Sequence, residues 1–339
     1  MVESFPGARS RRTTIKDVAE AAGVGVATVS RVFSGGPVSD ETREKVLAAA
    51  ARLDYRPSAL GRNLRQRRRG GIGLLVPDIT DGFYAGLADG VLACARSYGE
   101  PVTVGVTGDD PEQEAEMIGT MIEQSMDRIV AVPTGDAEMW APALRAGLEV
   151  IFAERRVRPD VPGVLTDDAS GVRTALEYLT GLGHRRIAFL AQRGQSRRVA
   201  AFTDALTALG IQADPELIVH ARASRDSAYA VAAGLLQSRT DLTAIIAGSN
   251  LLGEAVVLAA RELAVRIPRD LSLIMFDDVP WAELCSPPLT VIARPAQDVG
   301  YRAAELALRQ GRRPKTVTLP AGLIVRASCG PRRAAGYWR

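Results

Sequence analysis

From residue 71 onward the chain alternates short, continuously apolar runs with helical stretches, and no other feature restricts its fold as strongly. The runs form two series. GIGLLVPD, VTVGVTG, RIVAVPT, LEVIFAE and GVLTDD come first, and RRIAFLAQ, ELIVHA, TAIIAGS, LSLIMFDD and TVIARP follow. A strand with one wet face alternates apolar and polar residues, whereas a continuous apolar run implies burial on both faces, as in a parallel sheet covered by helices. Two such series predict two doubly wound parallel-sheet subdomains, with a small-molecule cleft at the carboxyl ends of their strands. The later TVTLPAGLIVRASCG is expected to complete a sheet, and residues 331–339 to form a tail.

The first 70 residues differ in charge and pattern. They carry 14 Lys and Arg against 7 Asp and Glu, while the remainder carries 28 against 32, so a total of +3 hides a basic head on a mildly acidic body. Such a head points to a polyanionic partner. In TIKDVAEAAG, Ile15, Val18, Ala19 and Ala22 recur at helical spacing behind a capping Thr14, and Gly23 supplies a left-handed stop. VATVSRVF then places Val29, Val32 and Phe33 inward on a second short helix. After GGP, Ser39 caps a third helix with an acidic first turn and a Val46, Ala49, Ala50, Leu53 stripe. Three helices with a glycine turn between the first two fit an all-α helix-turn-helix unit.

The predicted organisation is a disordered extension over 1–12, the helix-turn-helix unit over 13–56, a hinge helix and arginine-rich linker over 57–70, an effector-binding and dimerisation body over 71–330, and the tail over 331–339. Within the body, one subdomain is expected over about 71–170 plus 296–315, and the other over about 171–295 plus 316–330.

Other classes fit less well. Cys94, Cys285 and Cys329 lack the spacing of a disulfide framework or zinc site, and His184 and His220 are too few for a multi-histidine centre, so no metal or cofactor is expected. The start lacks a signal-peptide apolar core and no 18-residue apolar run occurs, so a cytoplasmic, nucleoid-associated location without membrane contact is expected. An enzyme would need a motif such as G-x-G-x-x-G, a P-loop or a G-x-S-x-G elbow, and none is present, so no catalytic residue is assigned. His184 reads as structural. A periplasmic-type solute-binding protein would explain the body but not the head, and a nonspecific DNA binder would need no cleft.

TIKDVAEAAGVGVATVSRVFSG, YRPSALGRNLR, GHRRIAFL and FDDVPWAELCSPPLTVI, in that order, resemble the lactose-repressor (LacI/GalR) family of bacterial transcription regulators. The resemblance implies a periplasmic-binding-protein-like body and a homodimeric repressor on a near-palindromic operator in double-stranded DNA, controlled allosterically by a small molecule, a sugar or an anionic metabolite. It places Val26, Ala27 and Arg31 against base edges, with Arg31 alone able to make a bidentate contact to guanine, and adds Thr14, Thr28 and Ser30 to the DNA-contacting set. Gly25 stands where serine is usual. In the linker, Ser58, Ala59, Arg62 and Arg65 flank Leu64, which falls where the family wedges a leucine into the minor groove.

The same resemblance nominates Phe83, Tyr84, Glu154, Arg155, Arg198, Asn250, Asp277 and Arg294 for the effector pocket. Departures accompany them: Glu154 for aspartate, Asp168 for asparagine, Ala223 at an often aromatic position, and Arg294 for glutamine. A lost stacking ring and a gained guanidinium leave room for an anionic effector.

Overall fold

A computed structural model describes residues 13–34, 36–55, 71–192, 195–309 and 316–332. The chain divides into two compact units, Met1–Gly70 and Gly71–Arg339.

The first unit holds α1 (Ile15–Ala22), α2 (Val26–Ser34) and α3 (Asp40–Arg52). Thr14 and Asp17 form a reciprocal capping box at the start of α1, and Gly23, at φ 64°, ends it in the left-handed conformation. Val18, Val29 and Val46, one from each helix, are fully buried. Ala19, Val32, Ala49 and Ala50 complete the small core, with Phe33 and Tyr55 packed against it. Arg43 of α3 donates to the carbonyls of Val32 (3.5 Å) and Gly36 (3.3 Å), tying α3 to the end of α2.

The second unit has two lobes. In the first, β1 (Ile72–Val76), β2 (Val102–Val106), β3 (Arg128–Ala131), β4 (Glu149–Ala153), β5 (Gly163–Asp167) and β11 (Thr316–Pro320) form one sheet in the order β11-β5-β4-β3-β1-β2. In the second, β6 (Ile187–Gln192), β7 (Ile218–Ala221), β8 (Ala244–Ala247), β9 (Ser272–Phe276), β10 (Thr290–Ala293) and β12 (Gly322–Ile324) are ordered β12-β10-β9-β8-β6-β7. Neighbouring strands pair in parallel except β12, which runs antiparallel to β10. Strand β9 explains the continuous apolar runs: Leu273 and Met275 enter the core on one face of the sheet, and Ile274 and Phe276 enter the core on the other.

The helices that position the cleft are α4 (Gly82–Ser97) and α5 (Pro111–Glu123), then α6 (Ala141–Arg145) and α7 (Asp168–Gly181). They are followed by α8 (Ser196–Ala208), α9 (Arg225–Ser238), α10 (Asn250–Glu262), α11 (Pro280–Leu284) and α12 (Ala296–Leu308). The chain passes between lobes after β5, after β10 and after β11. Helix α12 returns to the first lobe and packs closely on α4, where a Cβ on Gly300 would meet the Leu87 carbonyl carbon at 2.8 Å.

One expected boundary is corrected. Residues 316–320 were assigned by sequence to the second subdomain, yet β11 pairs in parallel with β5 of the first, Thr316 opposite Gly163. The cause lies upstream: α12 has brought the chain back to the first lobe, so the next strand adds to that lobe's open edge. Val317 and Leu319 point at its core, and the crossing comes only after Pro320.

The segment after β12 is anchored to the second lobe. Ser328 Oγ donates to the Leu273 carbonyl (2.6 Å), and buried His184 donates from Nε2 to the Gly330 carbonyl (3.0 Å). Burial holds the His184 imidazole below its ordinary value of 6.5, outweighing the Gly330 hydrogen bond that favours its charged form. The folded protein therefore keeps this ring neutral at pH values where the unfolded chain protonates it. Its contribution is present above the ordinary value and is lost as pH falls through the depressed one. Denaturant titrations from about pH 7 down to about pH 5 are expected to show falling stability of the body, with a shallower fall in His184→Asn. Equal slopes in both proteins would remove His184 from the acid response.

Candidate functional site

The described surface of α2 separates cleanly by depth. Val29 and Val32 are buried, Thr28 and Ser30 are half-buried, and Val26, Ala27 and Arg31 are exposed together on the opposite face. A helix of this width fits a major groove. Thr14 is exposed, but its hydroxyl is engaged with Asp17 in the capping box. Ser58, Ala59, Arg62, Leu64 and Arg65 lie outside the described residues.

Within the second unit, a cavity of about 690 Å³ lies between the lobes and takes lining residues from both. Two of its carboxylates follow equivalent strands. Glu154 comes immediately after β4 and Asp277 immediately after β9, each with a left-handed backbone (φ 62° and 75°). Each remains tied to its sheet, Glu154 N donating to the Val164 carbonyl (2.9 Å) and Asp277 N to that of Ile292 (3.0 Å). Non-glycine residues adopt this conformation at a cost, and here it turns two acidic side chains from different lobes toward one cation.

That cation is Arg294, on the segment between β10 and α12. Its guanidinium reaches Asp277 Oδ1 (2.6 Å) and Glu154 Oε2, and all three side chains are almost completely buried. Its central carbon lies 3.6 Å from the centroid of the Phe83 ring, so the cation covers that ring's face. Burial works against the charge, but Asp277 and Glu154 more than offset it and hold Arg294 protonated. Burial raises the Glu154 carboxyl above its ordinary value despite the same guanidinium.

A second buried cation, Arg198 in the first turn of α8, donates to Asp168 Oδ2 (2.7 Å) and the Gly248 carbonyl (2.5 Å) and stacks 4.2 Å over Phe276. Burial alone would raise Asp168, but Arg198 and Arg294 hold its carboxyl below the ordinary value. The Thr166 hydroxyl, 3.1 Å from Glu154 Oε1 and 3.0 Å from Asp168 Oδ1, joins the two clusters. Across the lobes, Asn250 at the start of α10 donates to Asp81 (3.1 Å) and lies 3.4 Å from Asp277 Oδ2. Asp81 also caps α4 through Phe83 N (2.8 Å), and burial together with the Asp277 carboxylate raises its pKa.

The outer wall is held by Arg155, which pairs with Asp109 (2.6 Å), and by buried Glu114, which accepts from Thr134 N (2.8 Å) and Gly135 N (2.7 Å) and so fixes the loop after β3.

Phe83, Tyr84, Glu154, Arg155, Arg198, Asp277 and Arg294 all line the cavity; Asn250 sits just behind it, bridging the lobes. Phe83 is at once a wall residue and part of the first lobe's core. The guanidinium that the sequence offered to an anion is already matched by two carboxylates. Sequence reasoning passed over Asp81, Asp109, Glu114 and Phe276. Asp81 reads locally as an ordinary helix cap, and Asp109 and Glu114 act only through partners about 20 to 45 residues away.

Residues 14–58 match the model of bacterial regulatory proteins of the lacI family, and residues 176–329 match that of the periplasmic binding protein-like domain. The HTH-type transcriptional regulator DegA of Bacillus subtilis (strain 168) is 33% identical over 336 residues, spanning 94% of this chain and 99% of that protein. The ribose operon repressor of the same strain is 34% identical over 301 residues, spanning 87% and 90%. Among solved structures, the transcriptional regulator CelR–cellobiose complex matches at a TM-score of 0.69 and 28% identity, over 94% of this chain and all of that one. The lac repressor dimer bound to operator and the anti-inducer ONPF shares the fold, with a TM-score of 0.83 at 24% identity and 94% of this chain covered.

Proposed function

This chain belongs to the lacI family of bacterial regulatory proteins and is a DNA-binding transcriptional regulator, and we propose that it is a homodimeric repressor whose operator affinity is set by a small neutral polyol bound between the lobes. The observation that carries the ligand class is the cleft itself. Its volume suits a sugar-sized molecule, and its arginines are matched by carboxylates, which favours a ligand offering hydroxyl donors over one bringing another negative charge. The named relatives point the same way, through a ribose operon and a cellobiose complex. Exposed Leu92 and Tyr301, on the neighbouring helices α4 and α12, and Leu284 on α11 supply apolar surface for a second copy.

At the DNA, Arg31 takes the guanine-reading role, with Val26 and Ala27 against thymine methyl groups. Leu64, with Ser58, Ala59, Arg62 and Arg65, serves the minor-groove contact. Ligand binding changes the relative orientation of the lobes, and operator affinity shifts by the ligand's differential affinity for the two states.

The test is to select an operator from a randomised duplex pool and titrate it against unselected DNA. Arg31→Ala is expected to weaken the selected site by about 1–3 kcal/mol and leave unselected DNA nearly unaffected. Equal losses on both would make Arg31 a phosphate contact. Calorimetry against neutral pentoses and hexoses and their phosphates and uronates tests the ligand class, and exclusive binding of the charged members would overturn it.

A further inference from the structure

The buried and half-buried side chains at the rear of the cleft form one continuous network. It runs from Asp81 through Asn250 to Asp277, through Arg294 to Glu154, and through Thr166 to Asp168, Arg198 and the Gly248 carbonyl. Its middle member is unusual in position. Arg294 stands on a segment that itself joins the lobes, and its two carboxylate partners come one from each lobe. Bridging of this kind, polar groups of both lobes meeting on one central group, is what a ligand closing a two-lobed cleft ordinarily supplies. The guanidinium also covers one face of the Phe83 ring.

We propose that Arg294 is a built-in clasp, a positioning residue that joins the two lobes in the absence of ligand by standing in for part of the bridge a ligand would make. Taking the cleft to be the effector site, the effector then acts on lobes already held at the rear and completes closure from the mouth. Without the guanidinium, Glu154 of one lobe and Asp277 of the other lose the one group that bridges them, and the lobes are no longer tied at the rear of the cleft.

Hydrogen exchange read by mass spectrometry on the ligand-free full-length protein tests this without knowledge of the effector, so its result is separate from that of the ligand panel. The reporters are the first turns of α4 and α10, which face each other through Asp81 and Asn250. In Arg294→Ala, both turns are expected to exchange about tenfold faster or more, while β1 and β9 keep their protection. Added ethylguanidinium, which fits the space vacated, should return both turns toward the wild-type rate. The paired substitution Glu154→Gln/Arg294→Gln removes one charge of each sign and guards against a variant that does not fold; it should loosen the same two turns. Wild-type protection at both turns, or a uniform rise across the body that ethylguanidinium does not reverse, would overturn the clasp.

Discussion

Val29→Asp is expected to abolish operator binding while leaving the ligand-binding body folded. Val29 has no exposed surface and belongs to a core of seven buried residues among those described. A unit this small has little stability in reserve. Burying a carboxylate there costs about 4 kcal/mol or more, enough to unfold the three helices. The body is a separate compact unit with its own cores, so its thermal transition should be unchanged. Calorimetry and a gel-shift titration on one sample decide the matter. Retained operator binding would show that Val29 is not essential to the three-helix core, and a lowered body transition would contradict the independence of the two units.

The second large effect is expected from Arg198→Met. The substitution keeps the bulk over Phe276 but removes the partner of Asp168 and one donor to the Gly248 carbonyl. Breaking a buried ion pair from one side typically costs 3–5 kcal/mol, and here about 3 kcal/mol is expected, since a fifth of the Asp168 side chain remains exposed. Denaturant unfolding of the body should register that loss. Any sugar that releases the wild-type protein from its operator should no longer do so. Adding Asp168→Asn removes the stranded charge and should restore part of the stability but not the ligand response. Restoration of both would reduce Arg198 to a structural role.

The architecture was legible because its cause is local and repeated. Each run such as LSLIMF must satisfy two apolar faces at once, and that requirement is written residue by residue. The caps at Thr14 and Ser39 and the stop at Gly23 were readable for the same reason. What was not legible depends on distant encounters. Residues Thr316–Pro320 carry no mark of the lobe they join, because that is decided by where α12 docks. Arg294 was readable as a new charge but not as a paired one, since Glu154 is 140 positions away and its left-handed backbone is imposed by the strand end. A charge in a sequence has a sign; its partner is a property of the fold.

The threefold passage of the chain between lobes also sets an order of assembly. The lobe begun at Ile72 still lacks α12 and its edge strand β11 when residue 293 leaves the ribosome, by which point five of the second lobe's strands have been made. The half started first is therefore finished late, and until Pro320 has emerged it presents an incomplete core, including the surface of α4 that α12 will cover, to whatever else is in the cell.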